Sequence, residues 1–378
     1  TIKGSGEYLG DMKLAGGKFR VDSDVNVPVL DLTGTLSITA SSEIIIPQDY
    51  SLDLNQTGGL NLGGYVLSLN GAGALNFKNS IDITNGELKV SSGTLNYANG
   101  GTTDKLTLES ATLVLNGDLS IGDKLKTSGN DPTFQLNGNS LDLSGINVKL
   151  ELGTGMGLDG VSTGTNTELL LISDSTISRS TPITLGSINL LNNALTLGSA
   201  TSDMTVTGPV TFDSSSSQIL TGEADLTLQS ASGFDLVSGK LSSTGGTLSL
   251  PYGMALGSGS VFDFSGSKVE FSGTLNVGDG TISSSDNSTI ELQAASSFSS
   301  NAVFTIPRLE LNSQALTLNT SSTHLTLSNP FTVGASESVD TQAGSLTLNG
   351  SVTLEDNGTI ESSAGPLTFN EGLELDNG

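Results

Sequence analysis

Hydrophobic residues along this chain recur in pairs two positions apart, with one polar residue between them. Leu346-Thr347-Leu348, Val352-Thr353-Leu354 and Leu367-Thr368-Phe369 are examples, separated by short runs of Gly, Asn, Ser and Asp. Successive residues of a strand face opposite sides, so each triplet predicts a short β-strand with its two apolar side chains inward and the polar one in solvent. A spacing of about seven between triplets superficially matches a heptad. The apolar positions are two apart, however, not three or four, and the intervening Gly, Asn, Ser and Thr are poor helix formers, so the helical reading fails.

The triplets also recur at a longer interval. Phe304, Leu325, Leu346 and Leu367 follow one another at 21 residues. Phe331, Val352 and Leu373 form a second column with that step, and Val339 and Ile360 a third. Toward the N-terminus, Leu60 to Ile81 and Leu67 to Leu88 keep it, Leu75 to Leu95 shortens it by one, and Leu115-Asn116-Gly117 recurs as Leu136-Asn137-Gly138. Three columns with one period predict an all-β, right-handed parallel β-helix (β-solenoid) with three short strands per coil of about 21 residues, the hand following from the general rule for parallel crossovers. The 378 residues make about 18 coils, which at roughly 4.8 Å each predict a stack on the order of 85 Å long. One coil buries little alone, so each needs its neighbours. The pattern weakens between Gly153 and Thr181, where a loop or insertion is expected, and resumes at Ile183-Thr184-Leu185. Residues 1–378 therefore read as a single β-solenoid domain, and the start at Thr1 suggests a fragment of a larger exported protein.

Composition narrows the function. Aromatics are only 4% of the chain, so small aliphatic residues must fill the core. With 39 acidic and 14 basic residues the formal charge is -25, which argues against nucleic acid and anionic membranes as partners. There is no cysteine, hence no disulfide, thiolate nucleophile or sulfur-ligated metal, as suits a protein exported from a bacterium. No run approaches the ~20 apolar residues that span a bilayer.

Candidate chemistry is sparse. The single histidine, His324, has no recognisable nucleophile motif beside it, and Arg20, Arg179 and Arg308 are too far apart to suggest one arginine-bearing site. Glu270 and Glu291 occupy outward positions 21 residues apart and should stack on adjacent coils. Like charges at that spacing raise one another's pKa or recruit a cation, which makes this pair the candidate metal site, with calcium as the ion and Glu310 two positions out of register. Asp31 and Asp53 form a second such pair. No Gly-Gly-x-Gly-x-Asp calcium repeat accompanies either, and chance stacking among 39 acidic residues is the plainer account. Thr305, Thr326, Thr347 and Thr368 form an outward hydroxyl file, as do Thr332 and Thr353, which the β-propensity of threonine explains better than ice binding does. With 0 Trp and 5 Tyr, a dedicated lectin site is not expected.

The Leu-Thr-Leu, Leu-Asn-Gly and Val-Thr-Leu units resemble the β-helical regions of secreted bacterial surface proteins, among them autotransporter passengers and filamentous haemagglutinin-like adhesins. The resemblance covers almost the whole chain. It implies an extracellular, cell-surface, non-catalytic structural or adhesive role, with other copies of the chain or matrix polymers as partners. A self-assembling filament or surface-layer subunit is the alternative, motivated by a repeat that runs to both ends without a polar cap. A polysaccharide-active β-helix enzyme is the third reading.

Overall fold

A computed structural model describes residues 6–8, 11–20, 29–129, 132–145, 147–153 and 156–376. Thr1 and Gly378 lie outside the described residues. Among the described residues there is no helix, and the strands pair in parallel, one coil to the next, as a β-solenoid of about 17 turns. The chain divides into two compact units, Thr1–Ser175 and Thr176–Gly378.

The second unit follows the sequence period most closely. Each coil carries three strands, as in His324–Leu327, Phe331–Val333 and Ser338–Asp340, before Ser345–Leu348 begins the next. The predicted columns are in register: Phe304, Leu325, Leu346 and Leu367 on one face, Phe331, Val352 and Leu373 on another, and Val339 with Ile360 on the third. Their spacing is constant because a coil must close on itself before its backbone can meet the ladder of the coil below.

In the first unit two of the three strands fuse. Ile81–Val90, Gly101–Glu109 and Leu119–Ser128 are long strands that turn a corner through a bulge without breaking the ladder. Both pairings of the middle strand shift register between Thr103 and Lys105. Bulges of this kind bend a strand and re-aim its side chains. One consequence is that coil length varies. Leu60 pairs with Ile83, not with Ile81 as the 21-residue step predicts, while Leu67 with Leu88 and Leu75 with Leu95 hold.

Inside, Leu32, Leu54, Phe77, Tyr97 and Leu115 stack through five coils and are all buried. Each such side chain contributes about 1.5–3 kcal/mol of gross hydrophobic stabilisation. Phe77 and Tyr97 meet with ring centroids 5.0 Å apart, and the Tyr97 hydroxyl shares a 2.7 Å hydrogen bond with the hydroxyl of Thr103. Burial pushes the Tyr97 phenol well above its ordinary range, with Thr103 pulling weakly the other way. Where the coil closes at Gly101, φ is 141° and an added Cβ would stand 1.9 Å from the Ile81 carbonyl oxygen, so only glycine fits.

The Gly153–Thr181 segment, expected to be a loop or insertion, carries the strands Val161–Ser162, Glu168–Leu171 and Ser175–Ser178. Leu158, Val161, Leu169, Leu171 and Ile177 are buried there. Gly and Thr dilute the apolar spacing, so the pattern fades although the pairing does not. Residues 154–155 lie outside the described set.

Candidate functional site

The register brings together what the sequence places on adjacent coils. Glu270 on strand Lys268–Asn276 pairs with Glu291 on strand Thr289–Ser299. Lys268 lies between them, with Nζ 2.8 Å from Glu270 Oε1 and 3.3 Å from Glu291 Oε2. An ammonium from this chain thus supplies the positive charge that the stacked carboxylates call for, and it is held above the ordinary lysine range by the hydrogen bond to Glu270 first and Glu291 second, against some desolvation. Glu310 is directly opposite Glu291, not two positions away, because the intervening coil is two residues short of the 21-residue step. Among the described residues no group of three or more His, Cys, Asp or Glu side chains is arranged to hold a metal ion.

The same construction recurs. Lys18 reaches Glu43 at 2.9 Å, Lys78 reaches Asp53 at 2.8 Å, Lys89 reaches Glu109 at 3.1 Å and Lys240 reaches Asp263 at 2.9 Å, each across one coil. The Lys18 hydrogen bond, aided by the Asn70 amide, holds the Glu43 carboxyl below its usual range. At Asp263 burial acts upward but is outweighed by Lys240 and Ser265, so its carboxyl is also depressed. Half-exposed pairs of this sort contribute roughly 0–1 kcal/mol each, so their main effect is on charge distribution. They occupy lysines, and the remaining surface is left acidic.

Asp31 and Asp53 are opposite one another as expected, but each has its own partner: the Asn55 amide donates to Asp31, and the Asn76 amide donates to Asp53 Oδ1 at 2.5 Å beside the Lys78 ammonium. Asn116 donates to Asn96, and Asn137 to Asn116 at 3.0 Å, which stacks the Leu-Asn-Gly corners. The threonine file Thr305, Thr326, Thr347 and Thr368 is in register, as are Thr332 and Thr353. His324 Nδ1 shares a hydrogen bond with Ser345 Oγ on the next coil. Among the described residues no carboxylate orients the imidazole of that pair, so a nucleophile-base-orienter arrangement is not seen there.

The comparisons with protein-family models, with curated proteins and with solved structures returned no match.

One concave feature was not legible in the sequence. Along the bulged corner of the first unit, Tyr65, Asn85, Glu87, Asp104, Lys105 and Asp123 line an open groove of about 460 Å³ floored by Gly64 and Gly86. Asp104 Oδ2 accepts the backbone N–H of Asn85 at 2.6 Å, Glu87 Oε1 accepts the Thr107 hydroxyl at 2.7 Å, and Lys105 pairs with Asp123 at 3.3 Å. These contacts fix the groove walls in place. The only sequence signal for it is Gly63-Gly64 ahead of a tyrosine, which is too common to mark a site.

Proposed function

We propose that this chain is a non-catalytic, extracellular structural and adhesive β-solenoid of a bacterial surface or secreted protein, which works by presenting its lateral surface to matrix polymers or neighbouring cells. The observation that carries this reading is the in-register stacking of outward residues into continuous columns, of which Thr305, Thr326, Thr347 and Thr368 are one. Columns of this kind make broad, repeating surfaces suited to extended partners, whereas catalysis needs a few groups converging on one point. The acidic charge and the absence of cysteine support a place outside the cell and a partner that is not a polyanion.

The test is to display the chain on a non-adherent bacterium and measure retention of the cells under flow on host-cell monolayers, on isolated matrix polymers and on one another. Increased retention on any of these supports the proposal, and unchanged retention on all three sinks it. Ordered filaments of the purified protein in cryo-electron micrographs would replace adhesion by a polymer-subunit role. Polysaccharide turnover that vanished in Glu270→Gln or Glu291→Gln would replace it by an enzyme.

A further inference from the structure

Resting on that adhesive reading, we propose that the groove beside Tyr65 binds an uncharged polysaccharide, a sugar ring lying on the tyrosine face and its hydroxyls held by the Glu87 and Asp123 carboxylates.

Three observations converge on this ligand class. The first is the placement of the aromatic ring. Phe77 and Tyr97 in the same unit are fully buried, whereas Tyr65 is 39% exposed at the groove. One side of its ring lies against Gly63, whose added Cβ would be 3.4 Å from two ring carbons, and an added Cβ on Gly64 would meet nothing within 4 Å. Glycine at position 63 keeps a side chain off that side of the ring, and the exposed remainder of the ring offers a flat apolar surface of the kind that packs against the C–H face of a sugar.

The second is the supply of hydrogen-bonding atoms. After the contacts that fix the walls, Glu87 Oε2, Asp123 Oδ1 and the Tyr65 hydroxyl have no protein partner among the described residues. Carboxylate oxygens accept from vicinal hydroxyls, and the Lys105 ammonium can donate to a ring or glycosidic oxygen. Three carboxylates against one ammonium make the groove acidic, which disfavours uronates and sulfated chains and favours a ligand without negative charge.

The third is preorganisation and extent. Gly86 is packed so closely that a Cβ there would stand 2.3 Å from Leu62 Cβ and 2.5 Å from the Tyr65 carbonyl oxygen. Asn85 holds a φ of 54° with its N–H tied to Asp104, so the floor is already shaped by contacts within the protein. The lining comes from four successive coils, Tyr65, Glu87, Lys105 and Asp123, which at roughly 4.8 Å per coil makes a track on the order of 14 Å long. That track suits an extended chain lying along the stack. The volume falls within the ~300–1,000 Å³ common for ligand sites.

The experiment is native affinity electrophoresis of the whole chain through gels containing hydroxyethylcellulose, galactomannan, alginate or polylysine. We expect retardation that grows with the concentration of at least one of the two neutral polysaccharides, and none in alginate. Tyr65→Ala should weaken it roughly tenfold and Glu87→Gln severalfold, Tyr65→Phe should keep most of it, and Tyr252→Ala, which removes another exposed tyrosine, should leave it unchanged. Circular dichroism of each variant confirms the fold, and Tyr65→Phe keeps the result readable if Tyr65→Ala is destabilised. No retardation by either neutral polysaccharide, retardation unaltered by Tyr65→Ala, or retardation by alginate or polylysine alone would overturn the assignment. Cells displaying Tyr65→Ala that were still retained under flow would leave the adhesive role standing while removing this groove from it.

Discussion

Phe298 offers a direct measure of how stability is distributed along the second unit. Its side chain is fully buried on strand Thr289–Ser299, between Leu275 on one coil and Leu318 on the next. Its ring meets Phe271 edge-on with centroids 5.9 Å apart and Phe304 at 6.3 Å. Truncation to alanine removes the buried ring and leaves a cavity, at a cost of about 3–5 kcal/mol, within which each aromatic pair accounts for about 0.5–1.5 kcal/mol. Because each coil of a solenoid contacts only its neighbours, this loss should stay local. Hydrogen exchange followed by mass spectrometry gives the readout. Amides within Leu275–Leu318 should exchange on the order of 10²–10⁴ times faster in Phe298→Ala, since every 1.4 kcal/mol is about a factor of ten. Peptides covering Leu226–Leu228, several coils away, should be unaffected, and so should every peptide in Ser297→Ala, whose side chain is only half-buried. A uniform acceleration across all coils would refute the nearest-neighbour account, and a loss below about 1 kcal/mol would refute the cavity cost assigned to the buried ring.

Two further outcomes follow from the charges. Lys268→Gln should lower the urea midpoint by an amount equivalent to at most about 1 kcal/mol at low ionic strength, because Glu270 and Glu291 then face each other without their shared ammonium and all three side chains are partly exposed. The loss should shrink in 1 M salt, where the Debye length is about 3 Å; a loss indifferent to salt would assign it to packing of the lysine stem instead. Asp118 accepts the Ser140 backbone N–H at 2.8 Å and its hydroxyl at 3.0 Å, and the first of these does most to hold its carboxyl below the ordinary value of 3.8. A carboxyl depressed in the folded state stabilises the protein fully above its unfolded pKa, and the effect disappears as pH falls through the lower folded value. Denaturation midpoints of Asp118→Asn should therefore lie below those of the parent at pH 6 and converge with them as the pH falls through the lowered folded value, and a constant gap across the acid range would show that ionisation of Asp118 is not the cause.

Period-2 triplets recurring at 21 residues were enough, from the sequence alone, to specify a parallel β-solenoid and to place Leu325 over Phe304 and Glu291 beside Glu270. They suffice because coil closure is a geometric requirement that the chain meets by repeating its own length. Where the corner is a bulge the repeat length is free to change, and this is why Leu60 meets Ile83 and Glu310 meets Glu291 in positions that counting by 21 misses. Side-chain partners are a further step removed from the sequence. Lys268 is an ordinary surface lysine until the coil above brings Glu291 within 3.3 Å, and its long flexible stem takes whichever carboxylate the neighbouring coil supplies. Nothing in the sequence marks Thr103 as a core residue, yet the hydroxyl of a buried tyrosine six residues earlier gives it a core hydrogen-bond partner. Tyr65 carries no mark in the sequence that separates it from Tyr97. Only the placement of Gly63 and Gly64 at a bulged corner, with Glu87 and Asp123 brought up by the following coils, puts one ring at a groove while the other fills the core, because exposure depends on which way the backbone turns and not on the residue itself.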